Sequence, residues 1–226
     1  DAVSHLVCGG FSKGETEDAL FTLHYLGIDN VLLLKGDEPT KSPPKGDHVN
    51  NYASELVEQV QLMNEGRFLH EETIADMRTD FCIGVAGYPE KHFEAPNLKT
   101  DLHYLKRKVE MGADYIVTQM FFDNKKFFEF VEDCREAGID VPIIPGLKPL
   151  TAAKHLTVLP KLFHLDIPDE LVTEVQKAKN KDAVKQVGIE WSIQQSKELM
   201  AAGVPCLHYY TMSRSEATTQ IARAVF

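Results

Sequence analysis

One apolar run in this chain ends in a cation, a glycine and a carboxylate: Asn30-Val-Leu-Leu-Leu-Lys-Gly-Asp37. The ammonium of Lys35 suits an anion, Gly36 lets the backbone approach a bound ring closely, and Asp37 offers a charged acceptor. Spacing alone leaves Asp37 open between a turn cap and a functional carboxylate. Two other runs, Cys82-Ile-Gly-Val-Ala-Gly-Tyr-Pro-Glu90 and Tyr115-Ile-Val-Thr-Gln119, also end in polar groups. Gln119 carries both a donor and an acceptor, which suits the edge of a heterocycle, although a structural amide is the plainer reading of it taken alone.

A second set of groups lies on a helix predicted over residues 98–111, where Leu102, Leu105 and Val109 form the apolar stripe. Asp101, Tyr104 and Lys108 share a flanking stripe, and Lys106-Arg-Lys108 is a local cationic spot. A solvated face accounts for such a stripe. The alternative is a cation reaching a phosphate while Asp101 accepts from a sugar hydroxyl. His5 and His92 have no partners at metal-ligand spacing, so no metal is expected and a hydrogen-bonding role fits both. Glycine-rich fingerprints for nucleotide phosphates are absent, and any dinucleotide must be held by distributed contacts.

The elements that must position these groups follow from hydrophobic periodicity. Strands are predicted at 4–7, 30–34, 83–86, 115–118, 141–144 and 206–210. Helices are predicted at 14–26, 51–64, 98–111, 124–137, 152–159, 169–178, 182–202 and 213–226. Glycine stops at Met111-Gly-Ala-Asp, Glu136-Ala-Gly-Ile-Asp140 and Ala201-Ala-Gly-Val204 each lead straight into a strand. This alternation predicts an α/β fold with a parallel sheet and right-handed crossovers, whose strand ends carry the function. Residues 35–50 read as a mobile polar loop on that face, and 159–169 as an irregular stretch between Pro160 and Pro168.

With 226 residues and 43% hydrophobic content, the chain can bury one large core, and a single domain over 1–226 is expected. A formal charge of −10 argues against nucleic acid and anionic membrane surfaces as partners. Cys8, Cys82, Cys134 and Cys206 are far apart and three sit on or beside strands, so reduced thiols and a cytoplasmic location are expected. No apolar run is long enough for a membrane span.

Together these segments resemble methylenetetrahydrofolate reductase. The likeness runs through His5-Leu-Val-Cys8, Gly27-Ile-Asp-Asn-Val-Leu-Leu-Leu-Lys-Gly-Asp37, Tyr52-Ala-Ser54 and Ala86-Gly-Tyr-Pro-Glu-Lys-His92. It continues through Asp101-Leu-His-Tyr-Leu-Lys-Arg-Lys108, Gly112-Ala-Asp-Tyr-Ile-Val-Thr-Gln-Met-Phe-Phe-Asp123, Ile144-Pro-Gly146 and His208-Tyr-Tyr-Thr-Met-Ser-Arg214. The resemblance implies a (β/α)8 TIM barrel that binds FAD without a Rossmann fold. It also implies ping-pong hydride transfer from NADH or NADPH, through FAD, to 5,10-methylenetetrahydrofolate, yielding 5-methyltetrahydrofolate. A small folate and a nicotinamide nucleotide are then the partners, and a homo-oligomer is compatible with the family.

Carried over residue by residue, the likeness puts His5, Lys35, Gly36, Asp37, Tyr52, Ala53, Tyr88, His92, Ala95, Asp101, Tyr104, Arg107 and Lys108 at flavin positions. Arg107 and Lys108 would neutralise the diphosphate. Asp37, Gln119, His155, Leu159 and Arg214 fall at substrate positions, with Asp37 as the catalytic carboxylate. Three positions depart from the family: Lys35 stands for its usual arginine, His155 for a frequent glutamine, and Leu159 for an aromatic. The family's general-acid glutamate, on the first barrel strand, has no counterpart here. With about six of eight βα units countable, the expectation is a short, bacterial-type protein with roughly 50 to 80 further N-terminal residues.

The rivals are another FAD barrel such as the proline dehydrogenase group, a lyase using Lys35 as a Schiff base, and a flavin- or folate-binding fragment without turnover. Bleaching of flavin colour by NADH and its recovery by the folate separates these readings.

Overall fold

The computed structural model describes residues 2–36, 48–69 and 78–226. Asp37 and most of the predicted 35–50 loop lie outside the described residues. Among those described, the elements run β1 (Ser4–Val7), α1 (Lys13–Tyr25), β2 (Asn30–Leu34), α2 (Ala53–Asn64), β3 (Cys82–Gly87), α3 (Leu98–Glu110), β4 (Tyr115–Thr118) and α4 (Asn124–Glu136). They continue as β5 (Ile143–Ile144), β6 (Gly146–Leu147), α5 (His155–Phe163), α6 (Asp169–Lys177), α7 (Lys181–Ala201), β7 (His208–Tyr209) and α8 (Glu216–Val225).

The architecture is α/β with parallel strands. The larger sheet has the order β1-β2-β3-β4-β5, and β6 pairs with β7 in a second, two-stranded sheet. In register, Val7 faces Leu34 and Leu33 faces Val85, both in parallel ladders. Gly146 and Leu147 face His208 and Tyr209, also in parallel. The predicted strand over 141–144 is therefore only part of the observed path. Pro145, which has no N–H to give to a ladder, separates β5 from β6.

Several helices start where a side chain satisfies their free N–H groups. Ser12 and Glu15 form a reciprocal capping box at α1, Asp123 accepts from Lys125 N at α4, and Asn180 accepts from Ala183 N at α7. The three glycine stops expected after α3, α4 and α7 all have positive φ. The largest shift of a helix boundary is at the end of α5, which runs through Pro160 to Phe163, where an irregular stretch was predicted. Proline forfeits one intrahelical bond. Leu156, Leu159 and Phe163 nevertheless pack on one apolar cluster, and that burial holds the helix together.

The described residues divide into two compact units: Asp1–Ala86 with His103–Ile116, and Gly87–Leu102 with Val117–Phe226. In the first, Val31, Leu33, Leu56, Val57, Val60, Met63 and Ile83 are fully buried. Three consecutive buried residues in β2 mean that the strand is covered on both faces. In the second, Met120, Phe122, Leu150, Leu159, Leu165, Leu171, Val175 and Val184 form the core cluster. All four cysteines are free thiols. Burial pushes Cys8 up to about 11 and Cys134 up to about 12, so neither is an active nucleophile. Among the described residues, no helix is long and apolar enough to cross a membrane.

Candidate functional site

In the first unit, the polar groups gather where β1 and β2 end. Gly36 turns the chain with φ +81°, and a Cβ there would come within 3.1 Å of Val7 Cβ, so a side chain is doubly disfavoured. The turn leaves Lys35 exposed, with Nζ 5.7 Å from the centre of the Tyr52 ring. Tyr52 is 59% exposed at the start of α2, next to Ala53. His5, in register with Leu32 on β1, is exposed too.

Lys108 in the last turn of α3 donates to Ala86 O at 2.7 Å, bringing its ammonium to the carboxyl end of β3. Tyr104, 54% exposed, and Arg107 lie on the same helix. This unit therefore holds both cations and exposed aromatic rings. That donor set fits a flavin dinucleotide: ammonium and guanidinium groups for the diphosphate, flat rings for stacking, and a glycine turn for close approach.

In the second unit, residues 88–97 form a tightly bonded turn. Tyr88 and His92 meet edge to face at 4.5 Å, and His92 N donates to Asp101 Oδ2 at 2.8 Å. Asp101 thus already accepts from the loop backbone through one carboxylate oxygen, with acceptor sites left for a sugar hydroxyl. Lys91, at φ 73°, donates to Ala95 O at 2.7 Å and to His92 O at 3.1 Å, closing the turn around Ala95.

Glu90, which the sequence reading quoted without a role, anchors this turn. Its Oε2 accepts from Lys126 Nζ at 2.8 Å and from Asp166 N at 2.8 Å, while Lys126 also donates to Asp166 Oδ2 at 2.6 Å. Burial pushes the Glu90 carboxyl above its ordinary range even against these donors. Burial by itself would lower Lys126, but its bonds to Asp166 and Glu90 carry it above the ordinary ammonium value.

The substrate positions other than Asp37 belong to the second unit. Gln119 accepts from its neighbour Met120 N at 2.9 Å through Oε1. Leu159 is 3% exposed within the core cluster. His155 opens α5, and its Nδ1 accepts from Thr151 N at 3.3 Å. Burial, then Lys148, Lys154 and Arg214, push its imidazole below the usual range, which favours the neutral ring.

Lys148 follows β6 directly and was missed. The signal was there: Ile144-Pro-Gly-Leu-Lys148 is another apolar run ending in a cation, like the run at Lys35. Among the described residues, no group of three or more His, Cys, Asp or Glu is placed to hold a metal ion.

Comparison with known proteins adds the following. The profile of the methylenetetrahydrofolate reductase family matches residues 1–225. A probable methylenetetrahydrofolate reductase (NADPH) of Caenorhabditis elegans is 34% identical over 227 residues, covering 100% of this chain and 32% of that protein. Methylenetetrahydrofolate reductase (NADH) 1 of Arabidopsis thaliana is 37% identical over 223 residues, 94% of this chain and 36% of its own length. The 5,10-methylenetetrahydrofolate reductase of Pectobacterium carotovorum is 30% identical over 226 residues, 100% of this chain and 70% of its own. The chain thus spans about a third of the eukaryotic relatives it matches. Among solved structures, an uncharacterized Clostridium thermocellum protein that binds two copies of 5-methyl-5,6,7,8-tetrahydrofolic acid superimposes with a TM-score of 0.50. It is 15% identical, and the match covers 98% of this chain and 93% of that one, a likeness of fold.

Proposed function

The chain belongs to the methylenetetrahydrofolate reductase family, and from that premise we propose that it reduces 5,10-methylenetetrahydrofolate to 5-methyltetrahydrofolate with a nicotinamide nucleotide, using FAD as cofactor. The observation that carries this reading is the family match over residues 1–225. We further propose that residues 1–226 belong to a single FAD-binding (β/α)8 barrel domain and that the protein works in the cytoplasm. The chemistry FAD supplies when bound is a two-electron hydride relay between nicotinamide and folate.

The roles left to the chain are binding, orientation and electrostatics. Lys35, Arg107 and Lys108 offer charge for the diphosphate, and His5, Gly36, Tyr52, Ala53 and Tyr104 offer surface for the rings. Tyr88, His92, Ala95 and Asp101 contribute from a turn already fixed by Lys91 and Glu90. Gln119 presents its amide NH2 to a pterin edge, and Arg214 and His155 address the rest of the folate. Asp37, assigned by resemblance, stabilises the cationic iminium form of the folate, the species that accepts hydride.

The test uses one cuvette. The FAD-loaded protein bleaches with NADH or NADPH under anaerobic conditions and recovers its colour when methylenetetrahydrofolate is added. Bleaching without recovery rejects folate as the acceptor, and a colourless protein that takes up no FAD rejects the whole reading. Asp37→Asn slows recovery about 100-fold while leaving the bleaching step within a fewfold of the parent. Equal rates in both proteins would remove Asp37 from the reaction.

A further inference from the structure

The end of β6 holds a cation that no carboxylate among the described residues neutralises. Lys148 is half-buried, and its Nζ has a single long contact, 3.5 Å, to Tyr210 O just past β7. That carbonyl is firmly held: Tyr210 N donates to Leu147 O at 2.8 Å, and Tyr210 Oη donates to Thr118 O at 2.9 Å. Gly146 permits the arrangement, since a Cβ there would lie 2.1 Å from Thr118 O and 2.8 Å from Tyr210 Cε2.

The neighbours repel rather than compensate. Burial and then Arg214 push the Lys148 ammonium below its ordinary value, and Lys148, Lys154 and Arg214 all bear on His155. Among the described residues, no carboxylate pairs with Lys148, Lys154 or Arg214, and the first turn of α5 has no acidic residue. A half-buried ammonium that meets only a carbonyl, in the field of the exposed Arg214, has no folding rationale in a chain of net charge −10. It is what a site for an oxyanion requires.

We propose that Lys148, with Arg214 and His155 beside it, receives an oxyanion of the substrate. On the reductase reading, from which the ligands are taken, that oxyanion is a glutamyl carboxylate of the folate or the diphosphate of the nicotinamide nucleotide. Lys148 is then a specificity-determining residue: it sets affinity for one substrate and leaves the hydride step alone. Neutral His155 adds a hydrogen-bonding ring without another charge to repel.

The experiment compares the FAD-loaded parent with Lys148→Met and Lys148→Arg. Methionine keeps the apolar stem and removes the charge; arginine restores a cation. In Lys148→Met, the Kd for one ligand rises about tenfold, flavin absorbance and the limiting bleaching rate are unchanged, and Lys148→Arg recovers most of the affinity. If the weakened ligand is 5-methyltetrahydrofolate, and the same pterin without its glutamyl tail binds both proteins equally, the oxyanion is the carboxylate. If the weakened ligand is NADH and folate binding is unchanged, it is the diphosphate. Equal affinity of parent and Lys148→Met for both ligands overturns the proposal while leaving the reductase reading intact. A parent that binds neither ligand fails the reductase reading instead. Inorganic pyrophosphate then decides: it must shift the His155 imidazole resonances in the parent and not in Lys148→Met, and absence of that difference overturns the site as well.

Discussion

Lys126 and Lys148 belong to the same compact unit, and both ammonium groups are partly withdrawn from water, yet their surroundings are opposite. Lys126 sits between Glu90 and Asp166 at 2.8 and 2.6 Å, and its ammonium is carried above the ordinary value. Lys148 meets one carbonyl at 3.5 Å and the field of Arg214, and is pushed below it. The first lysine ties the turn after β3 to α4 and to the segment before α6. The second stores unneutralised charge at a strand end. Residue type and burial are alike, so what separates a structural clamp from a receptive cation is whether the fold itself supplies the counterion.

The largest blow to this contrast should come from Gly146→Ala, which removes the frame that holds Lys148 against β7. The new Cβ would meet a backbone oxygen at 2.1 Å, where no rotamer offers relief. A loss of at least about 3 kcal/mol is expected, read from denaturant midpoints; a midpoint equal to the parent's would mean that the strand end adapts freely.

Next comes the pair of charge removals. Lys126→Met leaves Glu90, whose side chain is 12% exposed, without its cation, and should cost about 2–3 kcal/mol. Lys148→Met replaces an uncompensated charge by an apolar stem and should fall within about 1 kcal/mol of the parent, on the stabilising side if anywhere. Equal losses in the two variants would erase the distinction.

A finer contrast lies in alkaline stability. Lys126, raised in the folded protein, keeps its proton after the unfolded chain has lost it, so its contribution is present below about 10.5 and fades as pH climbs through the raised value. Lys148, lowered in the folded protein, sheds its proton first. Between its lowered value and about 10.5 the unfolded chain binds more protons, and stability rises with pH. Subtracting each variant's pH–stability curve from the parent's should therefore give opposite slopes, falling for Lys126 and rising for Lys148. Slopes of the same sign would refute the assigned environments.

The smallest expected effect is on His155. Removing the Lys148 charge takes away the second strongest influence holding its imidazole low, so Lys148→Met should move the titration seen by NMR upward toward the ordinary histidine value. Burial, Lys154 and Arg214 remain, so the recovery should be partial.

Much of the scaffold for these contrasts was legible in the sequence. The strands at Ser4–Val7, Asn30–Leu34 and Tyr115–Thr118 coincide with the apolar runs, and all eight helices follow the predicted order. Short buried runs bounded by helix stops leave little freedom in parallel α/β chains. Proline misled the reading twice: Pro145 divides one apparent strand into β5 and β6, and Pro160 lies inside α5 rather than at its end.

The sequence alone determined the alternation of strands and helices, the caps that start α1, α4 and α7, and the ordered motifs that mark the family, because periodicity, side-chain capping and motif spacing are properties of neighbouring residues. Tertiary structure alone decided that Leu159 is core, that Asp101 accepts from His92 N, and that Lys126 finds two carboxylates where Lys148 finds none among the described residues. Charge acts through space: Glu90 and Lys126 are 36 positions apart in the chain and 2.8 Å apart in the fold. No pattern along the sequence reports that distance, and the distance sets the chemistry of each lysine.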